Sequence, residues 1–195
     1  MSLPTVEAQL TGIGVVAIEN PTILKLLDTS SVWYQRSTRV VVGARRTTVK
    51  DMESPLITYV TDLRKNIFIE TIKTFSKAEI ESGVIILRYP DPICGQQYNE
   101  WYVTEKEWKE KYEGNPGEAW GEYKAKGVVM KNGLDVTPEI IGLLGGKNGR
   151  AEIIPSWGGT MWVFEDGLLT KDGTAIAPRI LANYYFRIPK TSDGK

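Results

Sequence analysis

The 195-residue chain contains no histidine. Ser-His-Asp and Cys-His catalysis are therefore excluded, as are zinc and iron sites ligated by imidazole. Cysteine is nearly absent too. Cys94 stands alone, so no intramolecular disulfide and no thiolate metal cluster can form. A single thiol suits a reducing compartment, and Cys94 reads as a small packed side chain. Net charge is also missing, since 24 basic residues balance 24 acidic ones. A dedicated nucleic-acid binder draws much of its affinity from a basic excess, so the balance argues against that role. No run approaches the roughly 20 apolar residues that span a bilayer, and the first ten residues lack the basic start and apolar stretch of a secretory signal. The sequence reads as a cytoplasmic protein without a membrane partner.

Aromatics and turn-formers are plentiful. Six Trp, nine Tyr, 19 Gly and ten Pro point to a well-packed core built from short elements. Charge is unevenly spread. Arg36, Arg39, Arg45, Arg46 and Lys50 fall in an acid-free stretch at 29–50, whereas seven glutamates crowd 100–122.

Helix starts are the clearest local signals. Asn20-Pro21 precedes the apolar Ile23, Leu24, Leu26 and Leu27, and Thr137-Pro138 precedes Ile140, Ile141, Leu143 and Leu144. Ser76 with Glu79 and Thr104 with Glu107 are capping boxes, and Val103 and Trp108 occupy the two positions of a hydrophobic staple. Trp108 and Tyr112 share one helix face. A further helix is expected over 178–185. Strands are expected at 31–42, 56–60, 67–72, 84–89, 123–130, 151–155 and 160–165, with 56–60 and 67–72 forming a hairpin. Asn132-Gly133, Asp166-Gly167 and Asp172-Gly173 read as turns, and 191–195 as a frayed end. The expected fold is α+β, an antiparallel sheet with about three short helices. It forms one compact domain over 1–195, within which 29–113 and 121–188 are candidate subdomains. Val103, Thr104, Trp108 and Tyr112 match Ile176, Ala177, Leu181 and Tyr185 at one constant offset, which would suit two related halves.

Tyr123-Lys124, the helix after Pro138, Ile154-Pro155-Ser156, Gly159, Trp162-Val163, Asp166-Gly167, Gly173, Pro178 and Tyr185 form an ordered series. It loosely resembles a class of small uncharacterised bacterial and phage-borne proteins. In that class an aromatic-basic strand leads to a helix, an Ile-Pro segment, a Gly-Asp-aromatic strand and a terminal Phe/Tyr helix. Here Glu165-Asp166-Gly167 stands where the class has Gly-Asp-Tyr or Gly-Asp-Trp. The resemblance implies a fold type and an accessory role, with no assigned chemistry.

Few residues suggest chemistry. The glycines around Lys147 fail the phosphate-loop pattern, because Ile141 holds the first glycine position and Asn148 replaces the hydroxyl residue. Asp91, Glu165, Asp166 and Asp172 are the carboxylates that could pair for acid-base work or oxygen ligation. Trp33, Tyr34, Trp101, Trp157 and Trp162 supply aromatic faces, and Arg36, Arg45 and Arg46 supply guanidiniums beside them. The first reading is a non-enzymatic interaction protein, needing no cofactor and no metal, that binds a protein partner or forms a homodimer. The residues 40–42 and 160–164, which lack an edge-guarding proline or lysine, are candidates for an open strand edge. The alternative is a carboxylate-dependent enzyme or small-ligand-binding protein with a cleft between the two halves.

Overall fold

The computed structural model describes residues 6–9, 14–155 and 158–189, with only the backbone of 6–9. In chain order the strands are β1 Val6–Gln9, β2 Val32–Arg36, β3 Val41–Arg46, β4 Leu56–Thr61, β5 Ile67–Lys73, β6 Ile85–Arg88, β7 Glu100–Val103, β8 Gly121–Lys124, β9 Met130–Asp135, β10 Arg150–Ile153, β11 Met161–Phe164, β12 Leu168–Thr170, β13 Ala175–Ile176 and β14 Tyr185–Ile188. The helices are α1 Pro21–Thr29, α2 Lys77–Glu81, α3 Glu105–Lys111, α4 Pro138–Leu143 and α5 Pro178–Tyr184. The fold is α+β, with three helices of seven residues or more among the described residues. Among the described residues every strand pairing is antiparallel except β1 on β5. No helix among the described residues is long and apolar enough to cross a membrane.

The chain divides into two compact units, Met1–Gln9 with Thr38–Val128 and Leu10–Ser37 with Val129–Lys195. The boundary cuts the single strand expected at 31–42. Ser37 to Val40 interrupt it, and the two pieces join different sheets: β2 pairs with β9 and β14, β3 with β6 and β8. Each unit thus draws on two separated stretches of chain, and neither coincides with 29–113 or 121–188.

In the first unit, β7-β6-β3-β8 form one sheet and β1-β5-β4 another. Alternation sends Val42, Ala44, Ile85, Leu87 and Val103 to one sheet face, where they pack with Trp108 and Tyr112. Helix α3 forms as its caps require. Thr104 Oγ1 accepts from the Glu107 amide at 3.2 Å, while the Glu107 carboxylate accepts from the Thr104 amide at 3.0 Å. The Trp108 and Tyr112 rings stack at 4.7 Å. On the other face Ile86 packs with Leu56, Phe75 and Val84.

In the second unit, β13-β12-β9-β2-β14 form a five-stranded sheet and β10-β11 a hairpin. Asn20 caps α1 by accepting from the amides of Thr22 and Ile23, and Thr137 caps α4. One sheet face buries Val32 and Leu168 against Leu181 of α5. The other carries Leu134 and Leu169 into a larger core with Ile23 and Leu27 of α1, Ile140 and Ile141 of α4, and Ile153 and Val163 of the hairpin. Helices α3 and α5 are alike locally. Each follows a strand, spans seven residues and ends on a tyrosine in extended conformation.

Asn132-Gly133 is not a turn. Both residues lie inside β9, and a Cβ on Gly133 would stand 2.2 Å from the Leu169 carbonyl oxygen of β12. This glycine serves close strand approach rather than chain reversal. The other turns form as read: Asp166 adopts φ 63° and Gly173 φ 79°. Gly145, at φ 73°, ends α4, so the glycine-rich stretch beside it is a helix terminus. Strand β14 was not anticipated, and the frayed end expected at 191–195 lies outside the described residues.

Candidate functional site

Two places in the molecule gather polar and aromatic side chains that packing alone does not explain. The first is the sheet face of the second unit. Register sets Gln35 of β2 between Met130 of β9 and Phe186 of β14, and Trp33 between Asn132 and Ile188. Directly paired antiparallel residues share a face. These six side chains therefore lie on the face that, further along, carries Leu134 and Leu169 into the α1–α4 core. The helices cover only that end. At the other, Trp33 remains 50% exposed, Phe186 49% and Met130 38%. β14 is the outermost strand, with no strand paired to its far side among the described residues.

Tyr34 points to the opposite face. Its hydroxyl donates to Asp135 at 2.8 Å, and Arg187 pairs with the same carboxylate at 3.0 Å. Burial, reinforced by the Asp135 hydrogen bond and charge, pushes the Tyr34 phenol up to about 12. Arg36, on this face too, is 4% exposed. Its guanidinium is therefore buried on this face and offers little surface beside Tyr34.

The second place lies in the first unit, on the sheet face opposite α3. One register row there runs Glu100, Arg88, Gly43 and Glu122 across β7, β6, β3 and β8. Gly43 makes room for the arginine, since a Cβ would stand 2.9 Å from Arg88 Cγ. Arg88 Cζ sits over the Tyr98 and Trp120 rings, 4.0 Å from each centroid. Such cation–π contacts fix the guanidinium plane without using its N–H donors. Among the described residues Arg88 makes no side-chain hydrogen bond or ion pair. Glu100 is held at its backbone, where its amide donates to the buried Thr58 Oγ1 of β4 at 2.6 Å. Asn99 Nδ2 donates to the same oxygen at 3.2 Å. The Glu100 carboxyl has no hydrogen-bonding partner among the described residues. Burial pushes it up to about 7 despite the opposing pull of Arg88 and Arg45, and Asp51 adds to the rise.

Arg45 is differently placed. It grips Asp51 through two hydrogen bonds of 2.8 and 2.6 Å, and its Cζ lies 5.4 Å from the Trp120 centroid. Burial works to raise Asp51, but the Arg45 hydrogen bonds and the Thr48 amide outweigh it and hold the carboxyl below its ordinary range. Arg46 spends its guanidinium on Glu105 at 2.8 Å, Asn115 at 3.0 Å and the Pro116 carbonyl at 3.1 Å.

The remaining sequence candidates are dispersed. Trp101 is half-buried against Tyr89 at 4.7 Å. Trp162 is buried beside Phe164. Asp166 is an exposed turn residue, Glu165 precedes it, and Asp91 is exposed in the first unit. Asp172 serves its own turn, accepting from Thr170 and from the Thr174 hydroxyl at 2.7 Å. Trp157 lies outside the described residues. Among the described residues no three His, Cys, Asp or Glu side chains form a group that could hold a metal ion.

Sequence reasoning missed Arg88, Tyr98, Glu100, Trp120 and Phe186. One signal was available for Arg88. It alternates in phase with Ile86 at the end of an apolar strand, which places it on a packed sheet face. No family model, curated protein or solved structure matches the chain.

Proposed function

We propose that this is a non-enzymatic accessory protein that acts by pairing with a second polypeptide, in the first place its own copy. The observation that carries the reading is the end of the five-stranded sheet that the described residues leave uncovered, where Trp33, Met130 and Phe186 are exposed beside the β14 edge that no described strand pairs. An antiparallel β14–β14 pairing would extend the sheet and join the two apolar patches. Arg187, the charge on this edge strand, lies on the other face and is neutralised by Asp135. A chain with zero net charge offers little repulsion between copies.

The expected strength is modest. Half-exposed Trp33 and Phe186 offer about 200 Å² per copy, worth about 10 kcal/mol for the pair at about 25 cal/mol/Å². Association costs about 4–15 kcal/mol. With the cost at the low end of that range the surplus is about 6 kcal/mol, a weak dimer with a Kd of roughly tens of micromolar. A cytoplasmic setting of bacterial or phage type fits the solitary thiol and the resemblance of the second half. Sedimentation velocity over a micromolar concentration series tests the proposal. Wild type should show a monomer–dimer equilibrium that Phe186→Asp abolishes while the circular dichroism spectrum is kept. A wild-type monomer at every concentration overturns self-pairing.

A further inference from the structure

The row of side chains around Arg88 plays no part in the pairing just described. Its composition is unusual for a structural ion pair. Arg88 and Glu100 are cross-strand partners, the arrangement in which opposite charges ordinarily close on each other. They form no ion pair within 4.0 Å. The guanidinium is instead fixed by two aromatic rings and keeps its donors, while the nearby Arg45 is committed to Asp51. A planar guanidinium held in this way matches the two acceptor oxygens of a carboxylate or phosphate group.

We propose that Arg88 and Glu100, walled by Tyr98 and Trp120, form a binding site for a small ligand carrying an oxyanion, a carboxylate or a phosphate. Arg88 donates two hydrogen bonds from its guanidinium edge, and the Glu100 carboxyl, when protonated, donates a third. Arg45 adds positive charge from β3 without giving up its Asp51 partner. Protonated Glu100 is a donor, whereas ionised Glu100 repels the ligand. The charged groups around it are Arg88 of β6, Arg45 of β3, Asp51 of the following 3-10 turn and, along the register row, Glu122 of β8; β4 contributes the neutral Thr58. Affinity therefore rises as pH falls through the neutral range.

The test uses the full chain, with acetate and inorganic phosphate as separate probes at low ionic strength. Binding is followed by NMR through the Arg88 Nε–H and Trp120 indole N–H signals. Both signals should shift saturably with at least one probe. Acetate alone marks a carboxylate site, and phosphate alone marks a phosphate site. Acetate keeps its own charge constant near neutrality, so it serves for the pH series. Its affinity should fall several-fold between about pH 6 and about pH 8. Glu100→Gln, which stays neutral, should bind with nearly constant affinity over that range and more tightly than wild type at the alkaline end. Arg88→Gln should lose binding at least tenfold while the amide spectrum outside the site is kept. If that variant is misfolded, Trp120→Leu takes its place, with Arg88 Nε–H as the reporter and weakened binding expected. Shifts that fail to saturate with both probes overturn the proposal, as does Glu100→Gln keeping the wild-type pH dependence. Wild-type affinity in a folded Arg88→Gln protein does so equally.

Discussion

Replacing Glu100 by glutamine should make the protein more stable at alkaline pH, an uncommon result for removing a charged side chain flanked by two arginines. The Glu100 carboxyl titrates at about 7 in the folded protein against an ordinary 4.5. Its cause is burial, which taxes the ionised form more than Arg88 and Arg45 relieve it. Below the unfolded value both states hold the proton, and Glu100 contributes its full stability. As pH rises from there to about 7, the unfolded chain gives up the proton while the folded one retains it, so stability falls. Above about 7 the loss is complete. At about 1.4 kcal/mol per pH unit the gap amounts to about 3 kcal/mol, trimmed to about 2 to 3 kcal/mol by the solvent the half-buried side chain still meets. Glutamine keeps the volume and cannot ionise. The variant should therefore exceed wild type by about 2 to 3 kcal/mol at about pH 8 and by under about 1 kcal/mol at about pH 5. Urea unfolding at the two pH values, with wild type and variant side by side, measures the difference directly. Other carboxylates such as Asp51 cancel in the comparison. Equal stability differences at both pH values would refute the assignment of the raised carboxyl to this position.

Gly133→Ala should cost at least about 1 to 3 kcal/mol, because the new methyl group meets the β12 backbone at Leu169 and Thr170; chemical denaturation measures it, and a neutral effect would show that β9 and β12 can separate freely. Thr104→Ala should lose about 0.5 to 2 kcal/mol through the N-cap of α3, with the association state unchanged by sedimentation. Oligonucleotide binding at physiological salt should be undetectable by fluorescence anisotropy, since Arg45 and Arg46 are held by Asp51 and Glu105. Tight binding lost in an Arg45→Ala, Arg46→Ala variant would contradict that.

The elements with local causes were legible in the sequence. Caps at Asn20, Ser76, Thr104 and Thr137 each start a helix, and the hairpin of β4 and β5 follows from two β-branched runs around a polar break. What was illegible depended on partners distant in the chain. Asn132-Gly133 has the composition of a tight turn, but Leu169 and Thr170 of β12 decide its conformation. The split of 31–42 into β2 and β3 is decided by β9, β14, β6 and β8, none of which is local. The residues 40–42, read as an open edge, belong to or adjoin β3, which lies between β6 and β8 inside its sheet. The same applies to both candidate sites. Trp33 was singled out for its type, but Phe186 and Met130 join it only through register. Asp166, chosen as a carboxylate next to a glycine, serves a turn, while Glu100 acquires its character from burial beside β4. Tyr185-Phe-Arg-Ile does show the alternation of a strand, stopped by Pro189, and could have been read as one.

The interleaving of the two units also sets an order of events during synthesis. β2 emerges early, but its neighbours β9 and β14 begin at Met130 and Tyr185. About ninety residues must be added after Arg36 before the first of them exists, roughly 5 to 20 s at ribosomal rates. Throughout that interval Val32-Trp-Tyr-Gln-Arg is an apolar, aromatic strand with both edges unpaired, while β3 to β8 are completed downstream of it. The nascent chain is most vulnerable to misassociation at that stage, and the segment exposed is the one that bears Trp33.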